Sequence, residues 1–141
     1  MLKKIPKILS PLLVKTLMEM GHGDEIVIAD ANFPSHTCSS NVIRADGLSG
    51  TEILEALLEL FPLDSYSEHQ LFLMNVVPGD NYKPVIWEDY LNLLQCSGEP
   101  CRIGYLDRFP FYQRAREAYA VIATGEEALY ANIILKKGVV K

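Results

Sequence analysis

Glu25-Ile-Val-Ile-Ala-Asp30 is the stretch that decides the fold. Four apolar residues, three of them β-branched, stand between two carboxylates. That pattern predicts a short strand buried on both faces. Upstream, Ser10 and Pro11 read as N-cap and first residue of a helix. Leu12, Leu13, Leu17 and Met20 recur at helical spacing, so the helix covers 11–20 and Gly21 stops it. His22-Gly23-Asp24 then feeds the strand. Downstream, 32–40 reads as a polar loop broken by Pro34, and Val42-Ile43 as a brief strand. Ser49-Gly-Thr-Glu52 is a capping box. It opens a helix that carries Ile53, Leu54, Leu57, Leu58 and Leu60 and ends before Pro62. A strand over 70–77 follows. Pro84 opens a helix with Trp87, Tyr90, Leu91 and Leu94 that ends near Gly98. The segment 102–106 is another strand, and Asp107 caps a short helix containing Phe109, Phe111, Tyr112 and Ala115. The segments 119–124 and 132–135 are the last strands. Strands and helices alternate almost throughout, which predicts an α/β layered domain. A chain of 141 residues without repeat, linker or low-complexity segment reads as one domain over 1–141.

Composition narrows the function classes. Lys and Arg number 13 against 18 Asp and Glu, a net charge of −5. This argues against a nucleic-acid partner, which needs a basic face, and leaves a neutral small molecule open. Cys38, Cys96 and Cys101 are an odd count without a CxxC pair. They read as reduced thiols in a cytoplasmic protein rather than as a disulfide framework or a zinc knuckle. The opening Met-Leu-Lys-Lys-Ile-Pro-Lys has no apolar run behind its charges, so it is not a signal peptide. No apolar run reaches about 18 residues, so no membrane span is predicted.

Several short stretches carry groups with chemical use. His22 stands between two glycines where a helix hands over to a strand, as either a functional side chain or a solvated loop residue. Asp30 ends a buried strand, and ligands of α/β sheets bind beyond the carboxyl ends of strands. It reads either as a turn or cap residue, or as a carboxylate that orients a histidine or accepts from sugar hydroxyls. Arg44 and Asp46 read as a local ion pair closing a turn. Arg108, just after a strand and beside Phe109, Phe111 and Tyr112, offers fixed donors next to an apolar platform. A surface arginine above core aromatics is the other reading. Tyr130 and Asn132 supply a hydroxyl and a carboxamide before the last strand. His36 lies in the polar loop near the same end of the sheet, and His69 beside Glu68 reads as an exposed loop residue. No HxxxH or similar spacing supports a metal site.

Taken together, these elements resemble the L-fucose mutarotase family, which also contains D-ribose pyranase. The resemblance covers nearly the whole chain. It rests on Met20-Gly-His-Gly-Asp-Glu25, Ala29-Asp30 with Asn32-Phe-Pro34, Arg44-Ala-Asp-Gly47, and Leu63-Asp-Ser-Tyr66. Toward the C-terminus it rests on Arg108-Phe, Phe111-Tyr112, Thr124-Gly-Glu126, Tyr130-Ala-Asn132 and Leu135-Lys-Lys-Gly138. It implies that His22 is the proton donor, and that Asp30, Arg108 and the Tyr130-Ala131-Asn132 stretch bind a monosaccharide. Arg108 stands where the ribose branch carries histidine, which favours L-fucose. Ala131 departs from a common glycine and, if that glycine has positive φ, would tighten the site. The resemblance further implies a three-layer αβα fold around a mixed sheet. It implies ring assembly, typically a homo-oligomeric decamer of two stacked pentamers with each site near a subunit boundary. The implied reaction is cofactor-free exchange of the α and β anomers. Alternatives are a D-ribose pyranase activity, a non-catalytic monosaccharide-binding protein, and a structural ring-forming protein.

Overall fold

In a computed structural model describing all 141 residues, Glu25–Ala29 is strand β1, and its four apolar residues are fully buried. It sits third in a six-stranded sheet of order β2-β5-β1-β6-β3-β4. The other strands are β2 (Val42–Ala45), β3 (Leu71–Met74), β4 (Ile103–Leu106), β5 (Ala120–Thr124) and β6 (Ile133–Lys136). The helices are α1 (Pro11–Glu19), α2 (Ser35–Cys38), α3 (Gly50–Leu58), α4 (Ile86–Ser97) and α5 (Arg108–Glu117).

Alternate residues of each strand face opposite ways, and this divides the core in two. Ile26, Ile28, Ile43, Leu71, Leu73, Ile122, Ile133 and Leu135 face one side and pack with α1, α3 and α4. Val27, Ala29, Phe72, Met74, Val121 and Ile134 face the other side, against Phe33, Cys38, Phe111 and Ala115 around α2 and α5. The result is helices, sheet, helices: an α/β fold in three layers.

Strand direction positions the site. β1 and β2 both run parallel to β5, and β3 runs parallel to β4. Only β6, between β1 and β3, runs antiparallel to its neighbours. The carboxyl ends of five strands therefore share one edge of the sheet, and the start of β6 joins them there. The amino edge collects the residues before β1 and those after β6.

Most elements follow the sequence reading, and the departures have local causes. The segment 32–40 is not wholly loop, because α2 makes one turn inside it, closed by the Cys38 amide on the Pro34 carbonyl at 2.9 Å. β2 runs on to Ala45, since Arg44 and Ala45 continue the register with Ala123 and Thr124. β3 stops at Met74, earlier than expected: the Asn75 amide still reaches the Leu106 carbonyl at 2.8 Å, and the chain then turns at Val77–Asp80. α4 begins at Ile86, two residues after Pro84, and ends on Gly98 at φ 74°. Asp107 occupies the N-cap position of α5 but does not cap it. Its carboxylate accepts from Asn75 Nδ2 at 2.9 Å instead. The Ser49 capping box forms as read, with Ser49 Oγ accepting from the Glu52 amide and Glu52 accepting from the Ser49 amide.

Candidate active site

Asp30 is the first residue past β1, and only 7 % of it is exposed. Asn132 lies opposite, just before β6. The two clasp each other: the Asp30 amide donates to Asn132 Oδ1 at 2.8 Å, and Asn132 Nδ2 donates to Asp30 Oδ2 at 3.1 Å. The Asn32 amide donates to the other carboxylate oxygen at 3.0 Å. Burial pushes the Asp30 carboxyl above the ordinary aspartate value, and these hydrogen bonds only partly offset it. A carboxylate held against desolvation in this way is poised to accept from a ligand hydroxyl.

Tyr130 is held in a left-handed backbone at φ 58°, which costs a non-glycine residue about 1–3 kcal/mol. Its surroundings enforce it. Trp87 Nε1 donates to the Tyr130 carbonyl at 2.8 Å, and the Tyr130 hydroxyl donates to Asp80 Oδ2 at 2.7 Å. The same hydroxyl accepts from the Val77 amide at 3.3 Å, and its ring stacks on Tyr82. Tyr130 is thereby tied to the turn after β3, and its bond to Asp80 raises the phenol's pKa and lowers the carboxyl's. The strain that sequence reading attached to Ala131 falls on Tyr130 instead. Ala131 is absent from the positive-φ residues, its side chain is buried in the core, and its carbonyl accepts from the Tyr90 hydroxyl at 2.7 Å.

Arg108 opens α5 at the same edge. Its Nε donates to the Tyr112 hydroxyl at 3.2 Å, and its guanidinium lies 5.5 Å from the centroids of both Phe109 and Tyr112. Asp30, Asn132, Tyr130 and Arg108 all line one pocket of about 270 Å³. Asn32 and Asp80 add polar groups, and Phe33, Met74, Val77, Tyr112 and Leu129 add apolar walls. Ligand pockets run roughly 300–1,000 Å³, so this one suits a small polyhydroxylated molecule. A larger hollow of about 610 Å³ lies between the N-terminal segment and α1, lined mainly by apolar residues such as Leu2, Ile5 and Met18. It lacks converging carboxylate, amide and guanidinium groups.

His22 is elsewhere. It precedes β1, so it stands at the amino edge of the sheet. Strand rise is roughly 3.3 Å per residue, so the length of β1 holds it roughly 15 Å from Asp30. The Gly23 amide donates to the Lys137 carbonyl at 2.9 Å, which pins this loop to the residue after β6. Gly23 needs its freedom, with φ at 88°. The carboxylate on His22 is Asp64, not Asp30: Nε2 lies 3.0 Å from Asp64 Oδ1, and the ring tilts against Tyr66 at 5.6 Å. One chain therefore brings Asp30, Arg108, Tyr130 and Asn132 to one pocket, leaves Ala131 between the last two with its side chain in the core, and keeps His22 apart.

The other candidates also find places. Arg44 pairs with Asp46 as expected and also meets His36 Nε2 at 3.3 Å. His36 is exposed and lines none of the pocket. His69 is half-buried rather than exposed, edge-on to Phe72, with Nδ1 unpartnered. Asp80 and Asn32 are pocket residues that the sequence reading did not assign to a site, whereas Tyr112, read there as part of the aromatic platform beside Arg108, does line the pocket. A Pro78-Gly79-Asp80 turn just beyond a strand's carboxyl end was the available signal for Asp80.

Residues 3–140 match the model of the RbsD / FucU transport protein family. The chain belongs to this family. Among RbsD / FucU relatives, it is 52% identical over 140 residues to an L-fucose mutarotase of Haemophilus influenzae, across 99% of this chain and 97% of that protein. The crystal structure of the fucose mutarotase of Streptococcus pneumoniae in complex with L-fucose has 55% identity, covers 99% of this chain and 100% of that one, and superposes with a TM-score of 0.95. RbsD of Bacillus subtilis, complexed with D-ribose, is more distant: 26% identity, 94% and 95% coverage, TM-score 0.71. No helix of the chain is long and apolar enough to cross a membrane.

Proposed function

We propose that this chain is an L-fucose mutarotase, an isomerase that exchanges the α and β anomers of the free sugar. The observation that carries the reading is the pocket at the carboxyl edge: a desolvated carboxylate, a carboxamide, a guanidinium and a phenol around a monosaccharide-sized space. It occurs in a chain 55% identical, end to end, to a mutarotase crystallised with L-fucose.

The chemistry is proton transfer at two oxygens. The anomeric hydroxyl loses a proton, the ring oxygen gains one, and the C1–O5 bond breaks to give the open aldehyde. Rotation about C1–C2 and reclosure on the other face of the carbonyl, with the proton transfers reversed, give the other anomer. Nothing is oxidised or reduced, and no cofactor enters the balance. General acid–base catalysis supplies about 10²–10⁴-fold for such a step. We assign the proton transfer to His22, because imidazole is the side-chain type suited to exchanging a proton near neutral pH and the resemblance places the proton donor there. We assign the grip on the sugar hydroxyls to Asp30, Arg108, Asn132 and Tyr130, with the Ala131 backbone between them.

The roughly 15 Å between His22 and this pocket favours a site shared between copies, in which His22 of one subunit completes the pocket of its neighbour. A closed homo-oligomeric ring, as in the decamer implied by the resemblance, meets that need by repeating one head-to-tail interface around the ring. The enzyme works in the cytoplasm as one domain over 1–141.

A D-ribose pyranase activity shares the ring-opening step. The 26% identity to RbsD of Bacillus subtilis, against about 50% to fucose mutarotases, makes it the secondary reading. Saturation-transfer NMR on free sugars decides between them. Transfer between the anomers of L-fucose should be faster than between the forms of D-ribose at matched concentration and be indifferent to chelator. Equal or faster exchange with D-ribose would overturn the assignment.

A further inference from the structure

The Leu63-Asp64-Ser65-Tyr66 segment runs along the amino edge of the sheet, tied there by the Asp64 amide on the Lys136 carbonyl at 3.0 Å and by a Leu63–Lys137 bridge. It carries a carboxylate that the sugar pocket does not use. The Asp64 side chain is 3 % exposed, whereas its partner His22 is 46 % exposed. Oδ1 faces His22 Nε2 at 3.0 Å and also accepts from the Tyr66 amide at 3.0 Å. Oδ2 accepts from the Ser67 hydroxyl at 2.5 Å. All of these contacts converge on the carboxylate as an acceptor.

We infer that Asp64 is the positioning residue of the proton-transfer histidine, fixing His22 with its proton on Nε2 so that Nδ1 is the nitrogen that exchanges a proton with the sugar. An ionised carboxylate can only accept, so a neutral imidazole against it must present Nε2–H. Burial pushes the Asp64 carboxyl up, but the bonds from Ser67, His22 and Tyr66 outweigh it and hold the group at about 2. It is therefore ionised at any working pH. Ser67 and the Tyr66 amide keep the carboxylate from turning, and the Tyr66 ring flanks the imidazole. The imidazole is thus held through Nε2 on a side chain that stays 46 % exposed, and Nδ1 makes no hydrogen bond within the chain. In any oriented imidazole the partner of one nitrogen decides what the other does. Without the anchor, His22 samples both tautomers and several ring orientations, and only a fraction of encounters place Nδ1 against the sugar oxygen.

This inference rests on His22 being the proton donor, and the test separates the two. Neutron diffraction from wild-type crystals, grown well above the ordinary histidine value of about 6.5, should place a deuteron on Nε2 of His22 and leave Nδ1 bare. The reverse assignment would overturn the proposal without any variant. In assembled enzyme, Asp64→Ala should lower kcat for L-fucose about 10–100-fold, short of the full acid–base contribution of about 10²–10⁴-fold lost in His22→Ala. KM should change little, because the hydroxyl-binding residues lie at the other edge. Asp64→Asn keeps an acceptor at Oδ1, so it should retain the Nε2–H tautomer and recover part of the rate. If His22→Ala abolishes turnover while Asp64→Ala keeps the parent kcat, Asp64 has no positioning role. If His22→Ala itself keeps the parent rate, the reading beneath the inference has failed instead.

Discussion

His22 makes one side-chain hydrogen bond, to Asp64, and its loop is closed by backbone contacts of Gly21 and Gly23. Its truncation should therefore leave the fold intact, and exchange measured by saturation transfer should fall about 10²–10⁴-fold. Sugar affinity should weaken far less. An assembled His22→Ala protein that exchanges anomers near the parent rate would rule out the assigned proton donor. Asp30 and Asp64 respond to pH in opposite ways. The folded Asp30 carboxyl titrates above the ordinary value of 3.8, so ionised Asp30 costs stability near neutrality, and that cost is relieved as pH falls through the folded value. Asp64, held at about 2, contributes stability above 3.8 that is lost as pH falls from about 4 toward 2. L-Fucose affinity by calorimetry should accordingly decline at a pH higher than an ordinary aspartate would dictate, while the protein is still folded. A flat affinity from pH 7 down to about 4 would remove Asp30 from the sugar contacts. These residues were legible in the sequence to different degrees. Asp30, Arg108 and Asn132 each adjoin the end of a recognisable strand, so their positions alone marked them. The partner of His22 was not legible, because Asp64 is 42 residues away and the contact depends on how β6 is laid into the sheet.

At the scale of elements, α3 tests how far fold and site are separable. Its Ser49 cap and Glu52 reciprocate, and loss of such a cap costs about 1 kcal/mol. Ser49→Ala should lower the melting temperature by a few degrees, about what that energy implies for a domain of this size, and leave exchange unchanged. A large drop in activity at full folding would tie α3 to catalysis and contradict the placement of the site at β1, β4 and β6. The turn after β3 is the reverse case. The Tyr130–Asp80 bond and the Val77 amide tie that turn to a strained residue. Asp80→Ala should weaken fucose binding more than it weakens the fold, and unaltered affinity by calorimetry would exclude the turn from the site. Periodicity found most strands and helices here because their apolar residues recur at fixed intervals. It missed α2, a single turn with no period to detect, and it overextended β3, where Val76-Val77 is β-branched but leaves the sheet.

The whole molecule turns on the antiparallel insertion of β6. That strand delivers Tyr130, Ala131 and Asn132 to the carboxyl edge and Lys137 to the amino edge, where it pins the His22 loop. Sequence alternation announced an α/β domain, but strand order and direction depend on nonlocal pairing that composition does not encode. The separation of His22 from the pocket was hidden for the same reason. One chain with both halves of the chemistry at opposite edges makes a subunit-shared site the central claim, and complementation tests it most directly. His22→Ala retains the pocket, and the double variant Asp30→Asn, Arg108→Ala retains His22. Each alone should be assembled and nearly silent in L-fucose exchange. Co-expressed in equal amounts, they should form mixed rings in which about a quarter of the sites join an intact pocket to an intact neighbouring His22. Exchange should return to about that fraction of the parent rate. Mixed assemblies, verified by mass, that stay as silent as their parents would contradict a shared site and the account built on it.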